Sequence, residues 1–301
     1  MKPASVSVVI PVLNGAHTIG DTLRSLAKQT PVPARCETIV VDNGSTDGTA
    51  KLVADLGVTL LHEATPGAAA ARNCGLRAAT GEIVVFCDAD TVPTRRWLAE
   101  MTAAFDDPAV TLAAGQIVCY PPKTGPERYL AASGVYDVER AVARPSFPLA
   151  PSGNMAVRRT AALAVGGFDE TMLTAEDADF CYRVVRAYPG AIAYRAAAIL
   201  FHRSRPSDAE LRRQAWVYGE GVARLYLRYP EVLPWDLRRV LLVASRALGR
   251  GALPLLLAGG HLLRIVSSEK VEFAAYHRLW TWWFWCGFFR LYYARHGGGT
   301  R

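Results

Sequence analysis

The decisive stretch of this sequence is Glu82-Ile83-Val84-Val85-Phe86-Cys87-Asp88-Ala89-Asp90. Its apolar run, 82–87, predicts a buried strand that ends directly at two aspartates one residue apart. Because residues i and i+2 of a strand share one face, the carboxylates of Asp88 and Asp90 are expected to point the same way. Carboxylate oxygens suit hard cations such as Mg²⁺ and Mn²⁺, which bridge protein acids to substrate phosphates. The alternative is a pair of aspartates that only solvates a strand end, since such spacings are common in turns.

This strand belongs to an alternation of strands and helices over the first hundred residues. The predicted strands are 5–12, 37–41, 58–62 and 82–87, and the predicted helices are 18–29, 46–56, 67–79 and 95–105. Short connections between them indicate an α/β fold with a mostly parallel central sheet flanked by helices. Ligands of such sheets bind outside the carboxyl ends of the strands. Three polar loops, 11–14, 42–45 and 88–90, are therefore expected along one rim.

The remaining chain is mixed in pattern. Strands are predicted at 111–120 and 197–201, and helices at 127–142, 176–188 and 208–229. Together these elements predict one domain, 1–229, with a half of regular alternation (1–106) and a half of mixed pattern (107–229). Residues 230–301 are predicted to form a helical, amphipathic C-terminal region. Thr18 followed by Asp21 indicates a capping box at the start of the first helix.

Composition limits the class of partner and the compartment. The 301 residues suffice for one large domain or two small ones, and the net charge of +7 favours an anionic partner such as a nucleotide or an acidic membrane surface. Nucleic acid is the weakest of these partners, because no recognised binding motif accompanies the charge. The start of the chain has no basic segment followed by a cleavable apolar core, so no secretion signal is expected. Six cysteines without a Cys-x-x-Cys pair indicate reduced thiols in a cytosolic protein.

Four blocks of sequence, in this order and spacing, resemble family 2 glycosyltransferases. They are VSVVIPVLN (6–14), VVDNGSTDGT (40–49), ARN (71–73) and DAD (88–90). With the later Glu176-Asp177, the resemblance covers roughly residues 5–205. It implies a GT-A fold with a Rossmann-like nucleotide-binding half (1–106) and an acceptor half (107–229). It also implies inverting transfer of a sugar from a nucleotide-activated donor. A UDP-sugar is the favoured donor, with GDP- and dTDP-sugars as alternatives.

The resemblance assigns a donor site to the polar loops. Asp42 can accept a hydrogen bond from a nucleobase N–H, although an Asx-turn that caps its own loop is the alternative. Asn43 stands where the family usually has a second acid, which removes one charge near the ribose but keeps a side chain that both donates and accepts. Arg72 is implied to contact the nucleotide, a solvated surface arginine being the alternative. The predicted donor-binding residues are Pro11, Val12, Leu13, Asn14, Asp42, Asn43, Arg72, Asp88 and Ala89.

A divalent metal, Mn²⁺ or Mg²⁺, is implied on the diphosphate, where it would act as a Lewis acid. Asp90 is implied to coordinate it, and Asp88 to hold the ribose or a metal-bound water. His202 follows a predicted strand and is a candidate to complete the metal site. A histidine with a purely structural role is the alternative for His202.

Asp177 is the predicted general base, which takes the proton of the acceptor hydroxyl, and Glu176 is predicted to orient it or the acceptor. The alternative for this pair is a dipole-favoured position at a helix N-terminus. Gly153, Asn154 and Trp216 are predicted on the side of the sugar and acceptor. Processive members of the family carry Gln-x-x-Arg-Trp, from which Gln214-Ala215-Trp216-Val217-Tyr218 departs, so transfer of a single sugar is expected.

The C-terminal region predicts contact with a membrane surface. Arginines interrupt the apolar run 240–266, which leaves it too short to span a bilayer. Four tryptophans (280, 282, 283 and 285) cluster nearer the end of the chain. This favours a peripheral protein on the cytoplasmic face of the membrane with a saccharide or lipid-linked acceptor, for example a cell-envelope glycan. A helical cap on the catalytic domain and a homodimer surface are the alternatives.

Three other functions compete with this interpretation. A sugar nucleotidyltransferase should carry a glycine-rich, lysine-bearing first loop, whereas Pro11-Val12-Leu13-Asn14 stands here. A catalytically silent nucleotide-binding or scaffold protein is disfavoured by intact Asp90 and Asp177. A dehydrogenase is disfavoured because no Gly-x-Gly-x-x-Gly follows the first strand.

Overall fold

The computed structural model describes residues 5–31, 35–145, 147–189, 192–236 and 267–296, together with positions 238 and 257. The strands are β1 (Ser5–Val12), β2 (Arg35–Asp42), β3 (Thr59–His62), β4 (Ile83–Cys87), β5 (Thr91–Pro93), β6 (Leu112–Cys119), β7 (Asn154–Arg158) and β8 (Ile192–His202). The helices are α1 (Ile19–Leu26), α2 (Thr49–Asp55), α3 (Ala68–Ala78), α4 (Trp97–Thr102), α5 (Gly125–Ala132), α6 (Val138–Val142), α7 (Arg159–Ala164), α8 (Glu176–Ala187), α9 (Asp208–Arg228) and α10 (Ser268–His296). A 3₁₀ turn, Ala103–Asp106, extends α4.

The strands form one mixed sheet in the order β3-β2-β1-β4-β7-β6-β8-β5. The four strands from the first ninety residues are parallel, with β1 between β2 and β4 and with β3 outside β2. The pairs β4–β7, β6–β7 and β5–β8 are antiparallel. All five residues of β4 are buried, which requires cover on both faces of the sheet and explains its continuous apolar run. The predicted α/β architecture is confirmed, with the parallel arrangement confined to the first half.

The helices differ from the prediction in a division and in a cap, besides shifts of one to three residues at several ends. The helix predicted at 127–142 is two helices, α5 and α6, because Gly134 adopts a left-handed conformation (φ 73°) between them. The predicted capping box at Thr18 and Asp21 is wrong: the Thr18 side chain caps no backbone N–H, and Asp21 pairs with Arg24.

Two compact units divide the chain. The sheet unit comprises Met1–Val118 and Asp137–Arg203, and the helical unit comprises Cys119–Tyr136 and Ser204–Arg301. The predicted boundary at 229–230 therefore differs from this division, since α9 groups with α10. The reason is local: a Cβ at Gly219 would overlap the carbonyl oxygen of Phe284, and a Cβ at Gly287 would overlap that of Trp216. The two glycines allow the backbones of α9 and α10 to touch.

Aromatic residues build the core of the helical unit. Tyr129 and Leu130 of α5 and Leu211 of α9 are buried there, and partly buried side chains of α10 pack on them. Trp280 packs on Tyr129 and Tyr218, Trp283 on Trp216, and Trp285 on Trp235, whereas Trp282 is 68% exposed.

The apolar side chains of α10 surround the helix instead of gathering on one face, so the predicted amphipathic character is wrong for this segment. Among the described residues, none of the helices combines the length and apolarity that a bilayer span requires. The predicted apolar run 240–266 lies outside the described residues, apart from position 257.

Candidate active site

The turn that carries the two aspartates is held by hydroxyl groups. It connects β4 to β5, and the hydroxyl of Thr22 on α1 lies 3.0 Å from the carbonyl oxygen of Ala89 and 2.6 Å from that of Thr91. The Thr91 hydroxyl in turn donates to the carbonyl oxygen of Asp88 at 2.7 Å. Thr22 is fully buried. Helix α1 therefore sets the position of the aspartate turn at the end of the sheet.

Sheet pairing brings His202 to Asp90. Antiparallel pairing of β5 with β8 places Thr91 opposite His202, and Asp90 directly precedes Thr91. His202 Nε2 lies 3.7 Å from Asp90 Oδ1, and the two side chains are 14% and 27% exposed. Both predicted ligands thus lie together, and neither is sealed from solvent.

These two side chains fit a divalent cation. Bonds to Mg²⁺ are about 2.1 Å long, so two ligands of one ion lie within roughly 4 Å of each other. Carboxylate oxygen and imidazole nitrogen are both ligands of divalent metals. In the described part of the chain, no group of three or more histidine, cysteine, aspartate or glutamate side chains is placed to hold a metal. Mg²⁺ sites commonly combine one or two protein carboxylates with substrate phosphate oxygens and water.

Asp88 has a different environment from Asp90. Its Oδ1 accepts a hydrogen bond from Nη2 of Arg72 at 2.8 Å. Its other oxygen packs on Gly153, where a Cβ would overlap Oδ2. Only glycine at position 153 leaves room for this carboxylate. Asp88 is therefore held between the backbone of Gly153 and the guanidinium of Arg72.

The predicted base lies at the start of α8. Ala175, the residue before the helix, has a left-handed backbone (φ 61°), a strained conformation for a residue other than glycine. Glu176 Oε1 accepts a hydrogen bond from Arg72 Nη1 at 2.8 Å. Arg72 therefore joins the aspartate turn to the helix that carries Glu176 and Asp177.

The environment of Asp177 makes it a proton acceptor near neutral pH. Burial, followed by the negative charge of Glu176, raises the pKa of Asp177 to about 7, against the opposing effects of Arg72 and of two backbone N–H groups. Those groups belong to Ala178 (2.8 Å) and Ser152 (3.4 Å). A carboxyl group with a pKa near the working pH is suited to general base catalysis.

The two loops predicted to hold the nucleobase are tied to each other. Asn14 has φ 52°, and its side-chain oxygen accepts a hydrogen bond from Thr46 N at 2.9 Å. Asp42 is buried and accepts from Ser45 N at 3.3 Å, as in an Asx-type turn, while His62 Nδ1 lies 3.5 Å from its Oδ2. The loops 11–14 and 42–45 therefore lie together, as expected from strand order. Asp42 makes the turn contact with Ser45 N and also has His62 as a polar neighbour.

The side-chain amide of Asn43 forms hydrogen bonds with backbone groups of the protein. Its Nδ2 donates to the carbonyl oxygens of Glu63 (2.9 Å) and Thr65 (2.8 Å), and its Oδ1 accepts from Gly67 N (2.7 Å). Both donors of the side chain are thus used to hold the loop before α3. The carboxylate that the family usually has here could not donate either bond.

Asn154 and Trp216, both predicted on the side of the sugar and acceptor, bind protein groups in the structure. Asn154 has no exposed surface, and its amide bonds Trp97 Nε1 and the carbonyl oxygens of Gln116 and Ala198, so we do not propose a direct sugar contact for it. Trp216 belongs to the helical unit, where its indole N–H donates to Glu220 Oε1 at 3.0 Å.

Sequence reasoning missed the supporting residues of the site. Asn73 exchanges two hydrogen bonds of 2.8 Å with the backbone of Phe168. Asp179 is fully buried and pairs with Arg183, which also donates to the carbonyl oxygen of Gly167. The signal for Asn73 was its place in the ARN block. No sequence signal distinguished Thr22, which occupies an ordinary helix position.

Comparison with known proteins shows the family to which this chain belongs. The model of the family described as Glycosyl transferase family 2 matches residues 7–166, more than half of the chain. The pre-mycofactocin glycosyltransferase of Mycobacterium tuberculosis is 36% identical over 238 residues, which are 75% of this chain and 48% of that protein. The chain therefore spans about half the length of this relative.

Solved structures share the fold. A mannosyltransferase of Pyrobaculum calidifontis, in complex with GDP-mannose and Mn²⁺, matches with a TM-score of 0.62 at 24% identity over 93% of this chain and 86% of that one. The glucosyl-3-phosphoglycerate synthase of Mycobacterium tuberculosis, in complex with Mn²⁺, UDP and glucosyl-3-phosphoglycerate, has a TM-score of 0.55 at 22% identity over 75% and 80% of the chains. The predicted GT-A fold is confirmed, and the chain belongs to glycosyl transferase family 2.

Proposed function

We propose that this protein is an inverting glycosyltransferase that moves one sugar from a nucleoside diphosphate sugar to a hydroxyl acceptor with the help of a divalent metal. The observation that carries the proposal is the ion chain Asp88–Arg72–Glu176, two contacts of 2.8 Å. This chain connects the aspartate turn, where the donor diphosphate is expected, to the helix of Asp177. Donor-side and acceptor-side acids thus share one site.

The residues divide the work of the reaction. Asp177 takes the proton of the acceptor hydroxyl as its oxygen attacks the anomeric carbon from the face opposite the nucleotide, which inverts the configuration. Asp90 and His202 would hold a Mn²⁺ or Mg²⁺ ion, and a bound ion supplies positive charge to the departing diphosphate. Asp42, beside the loop 11–14, would accept a hydrogen bond from the nucleobase.

The two solved structures hold a guanine and a uracil nucleotide, which supports a nucleoside diphosphate sugar as the donor class. Among such donors we propose a UDP-sugar on the sequence resemblance, with GDP- and dTDP-sugars as the alternatives. The net charge of +7 and the exposed Trp282 support peripheral attachment to an anionic membrane and a lipid-linked or saccharide acceptor.

The test is a thermal-shift panel of UDP-, GDP- and dTDP-sugars, each with and without Mn²⁺, because a ligand that binds the native state raises its melting temperature. One donor should raise the Tm in a Mn²⁺-dependent manner, and Asp90→Ala should abolish that dependence. Full donor binding and turnover in EDTA would contradict the metal assignment.

A second experiment separates the enzyme from a silent nucleotide-binding protein. The donor identified in the panel is incubated with the protein and candidate acceptors, and the anomeric configuration of the product is read by proton NMR. We expect release of nucleoside diphosphate and an inverted anomeric centre. Binding without turnover would favour the scaffold, and retained configuration would contradict the role of Asp177 as a base.

A further inference from the structure

We propose that Arg72 is a positioning residue that holds Asp88 and Glu176, and through Glu176 the base Asp177, and that it does not read the donor nucleotide. This inference rests on the proposed function and deepens it. It departs from the nucleotide contact that resemblance to the family implies for this arginine.

The geometry of the guanidinium is the first support. Nη1 of Arg72 donates to Glu176 Oε1 and Nη2 donates to Asp88 Oδ1, each at 2.8 Å. The N–H groups of a guanidinium form a rigid planar fork, so two separate acceptors determine its orientation. The acceptors come from the turn after β4 and from the first residue of α8. Arg72 therefore sets the position of one segment relative to the other.

Access to the guanidinium is the second support. The side chain of Arg72 is 5% exposed, and both of its terminal nitrogens donate to protein carboxylates. Two of the five N–H groups of the guanidinium are used in these contacts, and burial covers the rest of the side chain. A phosphate or ribose oxygen therefore finds little exposed surface on Arg72. The nucleotide therefore has easier partners in the exposed loops of the rim.

Packing beneath the guanidinium is the third support. Its central carbon lies 5.8 Å from the ring centroid of Phe168, which stacks on Phe180 of α8 at 4.3 Å. Asn73, the neighbour of Arg72, holds the backbone of Phe168 by two hydrogen bonds. Helix α3 thus supplies both the arginine and the anchor of its aromatic platform, an arrangement suited to rigidity.

The charge arrangement gives this rigidity a catalytic use. Glu176 and Asp177 are adjacent on α8 and repel each other when both are ionised. Arg72 compensates Glu176 and keeps its carboxylate turned toward α3. Loss of this contact frees Glu176 to move and displaces Asp177 from the acceptor, and a misplacement of about 1 Å can cost roughly 10²-fold in rate.

The decisive experiment separates nucleotide affinity from turnover. Arg72→Lys keeps the charge and removes the planar fork. The affinities of UDP and GDP are measured by calorimetry with Mn²⁺, and turnover is measured with the sugar nucleotide that gives the largest thermal shift. We expect the nucleotide Kd to stay within threefold of the native value while kcat falls by about 10²-fold.

A matched control lies on the same helix. Arg77 also faces two carboxylates, Glu63 and Glu170, but at 3.6 and 3.7 Å and with a side chain that is 59% exposed. Arg77→Lys should leave both Kd and kcat within threefold of native. The double variant Arg72→Lys, Glu176→Gln should be no slower than the slower single variant, because residues that act as a unit are non-additive.

Three results would overturn the inference. One is a nucleotide Kd at least tenfold weaker in Arg72→Lys with kcat nearly unchanged, which would make Arg72 a nucleotide ligand. Another is a double variant whose kcat loss is the product of the two single losses. If Arg72→Lys does not fold, a Glu176→Gln variant with native turnover does the same. Failure of the native protein to bind any nucleotide would instead sink the proposed function itself.

Discussion

At the level of single side chains, four acids of one site meet three different environments. Asp90 faces an imidazole, Asp88 and Glu176 face the two ends of one guanidinium, and Asp177 is buried beside another acid. Environment of this kind divides roles among chemically similar groups. On this basis we propose metal binding for Asp90, support for Asp88 and Glu176, and proton transfer for Asp177.

The pKa of about 7 at Asp177 predicts the pH dependence of turnover. The base works only when unprotonated, so native kcat/KM should rise with pH and level off above about pH 8. Asp177→Asn should lower kcat by about 10²–10⁴ and remove this rise, with donor affinity nearly unchanged. A variant that keeps more than about a third of native turnover would contradict the role of Asp177 as the base.

The same raised pKa has a consequence for stability. Between the ordinary value of 3.8 and about 7, the folded protein holds a proton that the unfolded chain releases. The contribution of Asp177 to folding stability is therefore favourable at low pH and is lost as pH rises through about 7. At pH 8 the Tm of Asp177→Asn should equal or exceed the native Tm, which serves as the folding control for the kinetic measurement.

Gly153 offers a test of the Asp88 position. Gly153→Ala places a methyl group against Asp88 Oδ2, which must move away from Arg72. We expect kcat to fall by about 10²-fold and stability to fall by about 1–3 kcal/mol, a usual cost of overpacking. Asp88→Ala makes room for the methyl but removes a partner of Arg72, so Asp88→Ala alone is the reference for the double variant. Gly153→Ala should lower the Tm less in the Asp88→Ala background than in the native one, and equal losses would show that the methyl does not contact Asp88.

At the scale of elements, α1 supports the aspartate turn through one hydroxyl. Thr22→Val keeps the shape of the side chain but leaves the carbonyl oxygens of Ala89 and Thr91 without this donor. We expect a loss of about 1–3 kcal/mol and at least a threefold higher Mn²⁺ concentration for half-maximal activity. The control is Thr102→Val, since the Thr102 hydroxyl donates only to Leu98 and Ala99 of its own helix. A control with the same metal response would contradict a specific role for Thr22.

Contact between α9 and α10 predicts that glycine-to-alanine substitutions at the contact lower stability, the opposite of their usual effect in a helix. Alanine in place of an exposed helical glycine stabilises by up to about 1 kcal/mol. Gly219→Ala and Gly287→Ala should instead lower the Tm, because each methyl meets a backbone carbonyl of the facing helix. In Gly20→Ala of α1 the methyl meets only the flexible end of Arg24, so this control should be neutral or stabilising. A raised Tm in either test variant would contradict the close approach of the helices.

Elements differ in how far the sequence predicts them. The first four buried strands follow from apolar runs, and β1 is predicted with its observed bounds. Strand β5 has three residues, too few for a pattern, and β7 was not recognised in Asn154–Arg158. The acids of the site were predictable because they stand at strand and helix ends. The contact between Arg72 and Glu176 was not, because it joins residues 104 positions apart and no local pattern records such a pair.

At the scale of the whole molecule, the net charge of +7 and the exposed Trp282 predict attachment to an anionic membrane. Flotation with liposomes should show binding that increases with anionic lipid and weakens with salt, since each basic residue near the surface adds about 1 kcal/mol. Trp282→Ser should reduce binding, whereas Trp283→Ser, which removes a contact with Trp216, should mainly lower the Tm. A native protein that never floats would remove the support for a lipid-linked acceptor.

The helical unit combines segments that are translated at different times. Residues 119–136 leave the ribosome early, but the α10 side chains that cover Tyr129 and Leu130 follow only after Ser268. At about 5–20 residues per second this delay lasts roughly 7–30 s. During that interval Tyr129 and Leu130 of α5 lack the α10 side chains that pack on them in the native structure. Chaperones that shield nascent apolar segments therefore have a specific target here, far upstream of the helix that finally replaces them.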